Sequence, residues 1–228
     1  MGLEYAKLKA ALLFVKTWGI FMKEKIKRII KPAFLLFMYE VSRRRIRRFL
    51  KDRKGIFLEV GAGDKKGING WLTMDMKINC DIYWDLRKGI PFPDESVSKI
   101  YSSHFLEHLS FKEGQKFLDE CTRVLSPGGN FSICVPNARL YIEAYLKYPD
   151  RDPNLYFFYE PAYNSTTKID YVNYMAYMDG LHKYMFDEEN LIHILKLKGM
   201  KNVRLREFDP SLDREDRDFE SIYAEAEK

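Results

Sequence analysis

The sequence predicts an α/β fold built on a doubly wound sheet. An apolar run at 56–58 passes through Glu59-Val60 into Gly61-Ala62-Gly63, which is the pattern of a buried parallel strand followed by a glycine turn. A second short strand at 71–74 ends in Asp75, where a carboxylate can accept hydrogen bonds from a ribose diol. A glycine turn alone is weak evidence for nucleotide binding, since a structural loop followed by a surface Asp has the same sequence pattern. The order of strand, glycine turn, strand and acid favours a nucleotide-binding fold.

Length and composition predict one ordinary domain plus an extension, in a reducing compartment. The chain has 228 residues, and its three cysteines, Cys80, Cys121 and Cys134, are far apart in the sequence. This scattered, odd-numbered set argues against a disulfide framework and a zinc site, so we predict a cytoplasmic protein without a metal. The apolar run 10–22 is interrupted by Lys16 and is too short to span a bilayer, and no cleavage site for a signal peptide follows it.

The charge is distributed unevenly between the two parts of the chain. Residues 1–54 carry a net charge of +12, whereas the rest of the chain carries −7, for a total of +5. A basic arm ahead of a mildly acidic domain indicates an anionic partner for the arm. We therefore divide the chain into a helical extension, 1–54, and a main domain, 55–228.

Two helices are predicted in the arm, at about 3–31 and 33–50, separated by Pro32. The second is apolar at first and then rich in arginine, a pattern typical of an amphipathic helix on an anionic membrane surface, here the inner face of the membrane. The same pattern suits helices that pack on their own domain or on a second subunit in a homo-oligomer. Nucleic acid is a poor match, because the aromatic residues are not spaced as stacking platforms between cations.

The first half of the main domain predicts a row of polar groups along one sheet edge. The connection at 64–70 is too short for an ordinary crossover helix. A short strand then ends at Asp85, a proline-rich loop spans 90–96, and an apolar strand at 97–101 leads to His104. If these strands are parallel, their carboxyl ends meet at one edge, where ligands bind in such sheets. The residues expected there are Gly61, Gly63, Asp75, Asp85 and His104.

The second half predicts helices, a buried strand and an insertion. A helical turn at 105–109 puts His108 on the same face as His104, and a capping box at Ser110 and Glu113 starts the next helix, which 126–129 ends. The segments that follow are a strand at 131–135, an insertion at about 138–180 with nine of the fifteen tyrosines, a helix capped by Asp187 that ends at Gly199, a last strand at 203–208 and a frayed or loosely helical tail at 209–228. The tyrosines suit either a pocket for an organic or sugar-like acceptor or a packed cap over the sheet.

These motifs, taken in order, resemble those of class I S-adenosylmethionine-dependent methyltransferases. The resemblance is closest to the type 11 group and to small predicted methyltransferases found with polysaccharide biosynthesis genes, and 182–199 is similar to that group's C-terminal pattern. It implies a Rossmann-like methyltransferase sheet, mostly parallel with an antiparallel C-terminal strand, and S-adenosylmethionine as the cofactor. The segments that carry it are Leu58–Gly63, Asp75, Asp85-Leu86, Ile90–Asp94, Ser102–Leu109 and Arg123–Gly129.

The resemblance also implies roles for single residues. Asp75 would hold the ribose hydroxyls, Asp85 and Leu86 would border the adenine, and His104 would face the methyl group and the acceptor. The short connection at 64–70 departs from the general family pattern, which has a helix there. The residues implied for the methionine end of the cofactor are Glu59, Gly61, Ala62, Gly63 and Asp64.

The function expected from this resemblance is methyl transfer, by O-methylation, to a small-molecule or glycan-linked acceptor. A hydroxyl acceptor benefits from a nearby base, so His104 is the first candidate, followed by His108 and His182. A non-catalytic scaffold that binds the cofactor is an alternative. A nicotinamide-dependent oxidoreductase fits less well, because Lys66 stands where the third glycine of its G-x-G-x-x-G motif would be.

Overall fold

Seven strands form one mixed sheet in the computed structural model, which describes residues 32–51, 55–147 and 167–228. The strands are β1 (Phe57–Val60), β2 (Trp71–Asp75), β3 (Ile82–Tyr83), β4 (Val97–Ser103), β5 (Leu125–Pro136), β6 (Lys201–Leu205) and β7 (Ser221–Glu227). Their spatial order is β3-β2-β1-β4-β5-β7-β6. Strands β1 to β5 run parallel to one another, and β7 runs antiparallel to both β5 and β6. The predicted Rossmann-like sheet with an antiparallel C-terminal strand is therefore confirmed.

The described residues contain five α-helices. They are α1 (32–51), α2 (Phe111–Val124), α3 (Ala138–Lys147), α4 (Lys168–Tyr177) and α5 (Glu188–Leu197). The predicted caps are present: Ser110 and Glu113 form a capping box at the start of α2, and the side chain of Asp187 accepts from the Asn190 amide at the start of α5. Helix α2 ends at Val124, two residues before the predicted stop, because β5 begins at once with Leu125.

The core lies on the central strands and the helix faces packed against them. Leu58, Val60 and Ile100 are fully buried on β1 and β4, and Phe117 and Leu118 are buried on α2. Contiguous apolar strands of this kind are expected where helices cover a parallel sheet.

The arm is described from residue 32 onward, so the helix predicted at 3–31 lies outside the described residues. One compact unit contains Arg45–Lys228, and the helix residues 32–44 belong to a separate unit. Within the larger unit, Ile46 joins the core and Arg45 donates to the carbonyl of Asp81 at 2.8 Å. No helix among the described residues has the length and apolarity needed to span a membrane.

The prediction for the C-terminal tail was wrong. Residues 215–220 form a short 3-10 helix, and β7 then enters the sheet between β5 and β6. The last strand in sequence is therefore β7, and the strand predicted at 203–208 is β6, at Lys201–Leu205. Ile222, Ala224 and Ala226 are buried in β7, so this charged tail is held by ladder hydrogen bonds on both sides.

The tyrosine-rich insertion is described at 138–147 and 167–180. Tyr141 and Tyr171 are buried with Ala138 and Met175 in a small second core, and the hydroxyl of Tyr141 donates to Glu220 at 2.9 Å. Both tyrosines thus serve as packing residues between α3 and α4, and whether the insertion lines an acceptor pocket or covers the sheet stays a prediction.

The connection between β1 and β2 contains no helix. The amides of Gly67 and Thr73 donate to Asp81 Oδ2 at 2.9 and 3.1 Å, and the Thr73 hydroxyl donates to the carbonyl of Lys65 at 2.9 Å. A Cβ on Gly67 would lie 2.0 Å from the carbonyl oxygen of Trp71. A single carboxylate and a glycine therefore hold this loop, which is too short for an ordinary crossover helix, as predicted.

Candidate functional site

The glycine turn lies at the carboxyl end of β1, beside the ends of β2 and β4, as predicted for parallel strands. Gly61 and Gly63 both have positive φ, at 71° and 68°, a conformation that glycine adopts without strain. A Cβ on Gly61 would lie 2.2 Å from Cγ of Phe105, whereas a Cβ on Gly63 would meet no described atom within 4 Å. Gly61 is thus required by packing, and Gly63 leaves open space at the sheet edge.

A cavity of about 280 Å³ opens at this turn, hereafter the smaller cavity. All five residues predicted for the methionine end of the cofactor line it. The Glu59 carboxylate lies 2.6 Å from Lys65 Nζ. Burial raises the pKa of Glu59, and the hydrogen bond from Lys65 opposes that shift. The lining residues that matter here are Glu59, Gly61, Ala62, Gly63, Asp64 and His104.

A larger cavity of about 500 Å³ lies at the ends of β2 and β3. Asp75, Asp85 and Leu86 line it, so the residues predicted for the ribose and adenine share one cavity. Asp75 Oδ2 also accepts from the Gly63 amide at 3.0 Å, which ties the end of β2 to the glycine turn. Asp85 is held by Arg87 through bonds of 2.8 and 2.9 Å, and this pairing lowers the pKa of Asp85.

The two cavities together match the size of a cofactor site. Phe105 lies at their boundary, since it lines the larger cavity and packs on Gly61, which lines the smaller one. Ligand pockets commonly measure about 300–1,000 Å³. The open space at Gly63 and the carboxylate of Asp75 are the features that a bound nucleoside with an amino-acid tail would use.

The three histidines named from the sequence are brought close together. The rings of His108 and His182 lie 5.0 Å apart between centroids. His104 Nδ1 is 3.6 Å from Glu107 Oε1, and His108 Nε2 is 3.9 Å from the same oxygen. A backbone hydrogen bond brings His182 close to His108, because the amide of Lys183 donates to the carbonyl of Glu107 at 2.8 Å. We call Glu107, His104, His108 and His182 the histidine cluster.

The members of the cluster differ in exposure and in protonation. The side chain of His104 is 8% exposed and its φ is 48°, and burial lowers its pKa to about 3. Burial also lowers the pKa of His182. The side chain of His108 is 36% exposed and lines the larger cavity.

Glu107 is the central residue of this cluster and is not among the site residues predicted from the sequence. Its exposure is 1%, and neither carboxylate oxygen has a hydrogen-bond partner among the described residues. Burial raises the pKa of Glu107 to about 8. The signal that could have found it is the spacing from His104 to Glu107 and to His108, three and four positions, since residues so spaced share a face of a helical turn. In the structure the helical part is a short 3-10 helix at Leu106–His108, and His104 precedes it with a positive φ.

Residues from the C-terminal segment complete the smaller cavity, and these were also missed. Arg214 and Arg217 line it. Their segment is anchored by Asp213, which pairs with Arg206 at 2.6 and 2.7 Å and accepts from the Tyr101 hydroxyl at 2.9 Å. Because these residues lie more than a hundred positions after the glycine turn, local sequence patterns do not connect them with it.

Comparison with known proteins gives matches to methyltransferases. A family model described as a methyltransferase domain, Methyltransf_11, matches residues 78–133. The mRNA cap guanine-N(7) methyltransferase of Cryptococcus neoformans is 26% identical over 144 residues, covering 56% of this chain and 23% of that protein. A probable S-adenosylmethionine-dependent methyltransferase of Mycolicibacterium smegmatis is 40% identical over 57 residues, covering 23% of this chain and 21% of that protein.

The chain thus spans less than a quarter of the length of either curated relative. A SAM-dependent methyltransferase structure from Archaeoglobus fulgidus superposes with a TM-score of 0.45 at 17% identity, covering 86% of this chain and 99% of that one. The family match and the two curated relatives support the predicted methyltransferase domain, and the second relative is described as S-adenosylmethionine-dependent.

Proposed function

We propose that the chain transfers a methyl group from S-adenosylmethionine to a hydroxyl oxygen of a small-molecule or glycan-linked acceptor. The observation that carries the proposal is the joint placement of the glycine turn, the Asp75 carboxylate and the histidine cluster around two adjoining cavities. The groups that would bind the nucleotide and the histidines that could take a proton from the methyl acceptor therefore lie at one edge of the sheet.

The cofactor supplies an already activated methyl group, so the protein mainly has to align the acceptor with it. In our proposal Asp75 accepts from the ribose hydroxyls, and Leu86 borders the adenine in the larger cavity. Glu59 and the glycine turn hold the methionine end in the smaller cavity, where Arg214 and Arg217 offer positive charge to its carboxylate.

A proton must leave the acceptor hydroxyl as its oxygen bonds to the methyl carbon and the carbon–sulfur bond breaks. His104 is poorly suited to take it, since a base works best with a pKa near the working pH and burial lowers the pKa of His104 to about 3. His108 is better placed. Its Nδ1 lies 3.0 Å from the Leu181 carbonyl and must donate to it, which leaves the Nε2 lone pair to receive the proton.

Calorimetric titration of S-adenosylmethionine and S-adenosylhomocysteine tests the cofactor site. We expect Asp75→Asn, which keeps an acceptor for the Gly63 amide, to weaken binding at least tenfold. Asp119→Asn is the matched control, because Asp119 pairs with Lys198 at the surface of α2. A folded wild type that binds neither compound would overturn the proposal, and binding of NADH instead would favour an oxidoreductase.

Transfer of a labelled methyl group to sugars, glycolipids and guanine nucleotides tests the acceptor. We expect hydroxyl-bearing sugars to be labelled, and His108→Ala to slow turnover roughly a hundredfold while the exposed His193→Ala leaves it unchanged. Labelling of guanine alone would refute O-methylation. Cofactor binding without transfer to any acceptor would favour the scaffold alternative.

A further inference from the structure

The histidine cluster is built from electron-pair donors that face one another. His108 Nδ1 lies 3.0 Å from the Leu181 carbonyl, and His182 Nδ1 lies 2.7 Å from the Met175 carbonyl. A carbonyl only accepts, so both Nδ1 atoms carry the hydrogen. In the neutral imidazoles both Nε2 atoms therefore present lone pairs.

The same reasoning fixes the proton on His104. Ser221 Oγ donates its single hydrogen to the Arg217 carbonyl at 2.6 Å, and it lies 2.9 Å from His104 Nε2. Ser221 must therefore accept from His104 Nε2–H, so His104 Nδ1 is also a bare lone pair. That atom lies 3.6 Å from Glu107 Oε1.

Glu107 gives the second, independent observation. Its carboxylate is buried among these lone pairs, and neither oxygen finds a hydrogen-bond donor in the described part of the chain. A buried carboxylate without partners is costly. A proton on Glu107 would allow one hydrogen bond to one histidine nitrogen. The lone pairs of the other histidine nitrogens would still face carboxyl oxygens without a hydrogen between them.

We infer that Glu107, His108 and His182 form a binding site for one divalent transition-metal ion, with Zn²⁺ as the best match. The donor atoms of these residues lie within 4.8 Å of one another. Metal–ligand distances of about 2.0–2.2 Å place two ligands of one tetrahedral ion about 3.3–3.6 Å apart, so side-chain rotations that bring the donor atoms roughly 1 Å closer close the site. Two imidazoles and one carboxylate are the ligands of open zinc sites, whereas Mg²⁺ and Ca²⁺ prefer oxygen ligands.

The surroundings match those of known metal ligands. A histidine that binds a metal usually donates its other ring hydrogen to a carbonyl or carboxylate, and the carbonyls of Leu181 and Met175 take this part here. Three protein ligands leave coordination positions open. His108 also lines the larger cavity, so a further ligand would reach the ion from that side.

The role of the ion rests on the proposed function, although the binding site does not. A hydroxyl oxygen bound at the open position would lose its proton more readily, because a bound cation lowers the pKa of its oxygen ligands. The proton would then pass to solvent, and His108 would hold the ion instead of accepting the proton. Chelation separates these roles, since a purely basic His108 would keep its activity in EDTA.

The test uses the full chain, stripped with EDTA and returned to metal-free buffer. We expect calorimetry to find one equivalent of bound Zn²⁺, and Co²⁺ to give the visible absorption bands of a nitrogen-ligated site. Glu107→Gln and His108→Ala should each weaken Zn²⁺ binding at least tenfold. His193→Ala, which removes the fourth histidine of the chain from the exposed face of α5, should bind as the wild type does.

Thermal melting and S-adenosylmethionine titration of each variant keep the test decisive. The inference is overturned if the folded wild type binds neither Zn²⁺ nor Co²⁺, or if Glu107→Gln and His108→Ala bind as tightly as the wild type. If the protein binds the cofactor but no metal, the metal site is refuted and the proposed function stands. If it binds metal but not the cofactor, the metal site stands and the proposed function is refuted.

Discussion

At the residue scale, Gly61 is held by a neighbouring side chain and Gly63 is not. Alanine at either position meets the cost of a positive φ, about 1–2 kcal/mol. Only alanine at 61 also collides with Phe105, and overpacking of this kind adds about 1–3 kcal/mol. We expect Gly61→Ala to lower the free energy of unfolding more than Gly63→Ala does, as measured by urea denaturation.

A double-mutant cycle identifies the cause of that difference. In a Phe105→Ala background, the cost of Gly61→Ala should fall toward that of Gly63→Ala without reaching it, because the ring is gone but the Cβ of residue 105, 2.5 Å from the added methyl group, remains. An equal cost of Gly61→Ala in both backgrounds would show that the ring is not responsible.

Glu59 is a second residue whose effect depends on its surroundings. Burial raises its folded-state pKa above the ordinary value of 4.5, despite the bond from Lys65. Its contribution to stability is therefore present at low pH and is lost as the pH rises through the folded-state pKa. We expect the melting temperature of Glu59→Gln, relative to wild type, to increase from acid to neutral pH, while binding of S-adenosylmethionine weakens. A difference that is constant with pH would contradict the assigned shift.

At the scale of elements, the helix-free connection between β1 and β2 depends on Asp81. Its carboxylate accepts from the amides of Gly67 and Thr73, and unpaired buried donors cost about 1–3 kcal/mol. We expect Asp81→Ala to lower the free energy of unfolding by about that amount, and Asp81→Asn, which keeps one acceptor oxygen, to lower it less. Equal losses in the two variants would mean that charge, rather than hydrogen bonding, holds the loop.

The elements of the sheet were predictable where the sequence is locally patterned. β1, β4 and α2 carry long apolar runs or a capping box, and these were recognised. β7 was not, because its buried positions include two alanines alternating with glutamates, a pattern that resembles an exposed tail. Its strand structure comes from insertion between β5 and β6, which is a long-range contact that no local pattern reports.

At the scale of the whole molecule, part of the candidate site follows from local sequence patterns and part depends on long-range contacts. The glycine turn, Asp75 and Asp85 follow strand ends, so parallel pairing alone predicts that they share an edge. The histidine cluster requires His182 to return to Glu107 from beyond the insertion, and the smaller cavity requires Arg217 from the C-terminal segment. Such meetings depend on topology, so the sequence offered the histidines as separate candidates and did not indicate Glu107.

The charge asymmetry of the chain leads to a prediction about the arm. Residues 1–54 carry +12, and the described helix α1 holds the arginine run with Leu36 and Phe37 exposed. Each cation near an anionic surface contributes about 1 kcal/mol.

We expect flotation with anionic vesicles at low salt, and strong loss of flotation when Arg43, Arg44, Arg47 and Arg48 are changed to Gln. The matched control neutralises four cations of the main domain: Lys112, Lys196, Lys201 and Arg204. A wild type that stays in the soluble fraction, or equal loss in the control, would refute membrane attachment through the arm and would favour packing of its helices on protein.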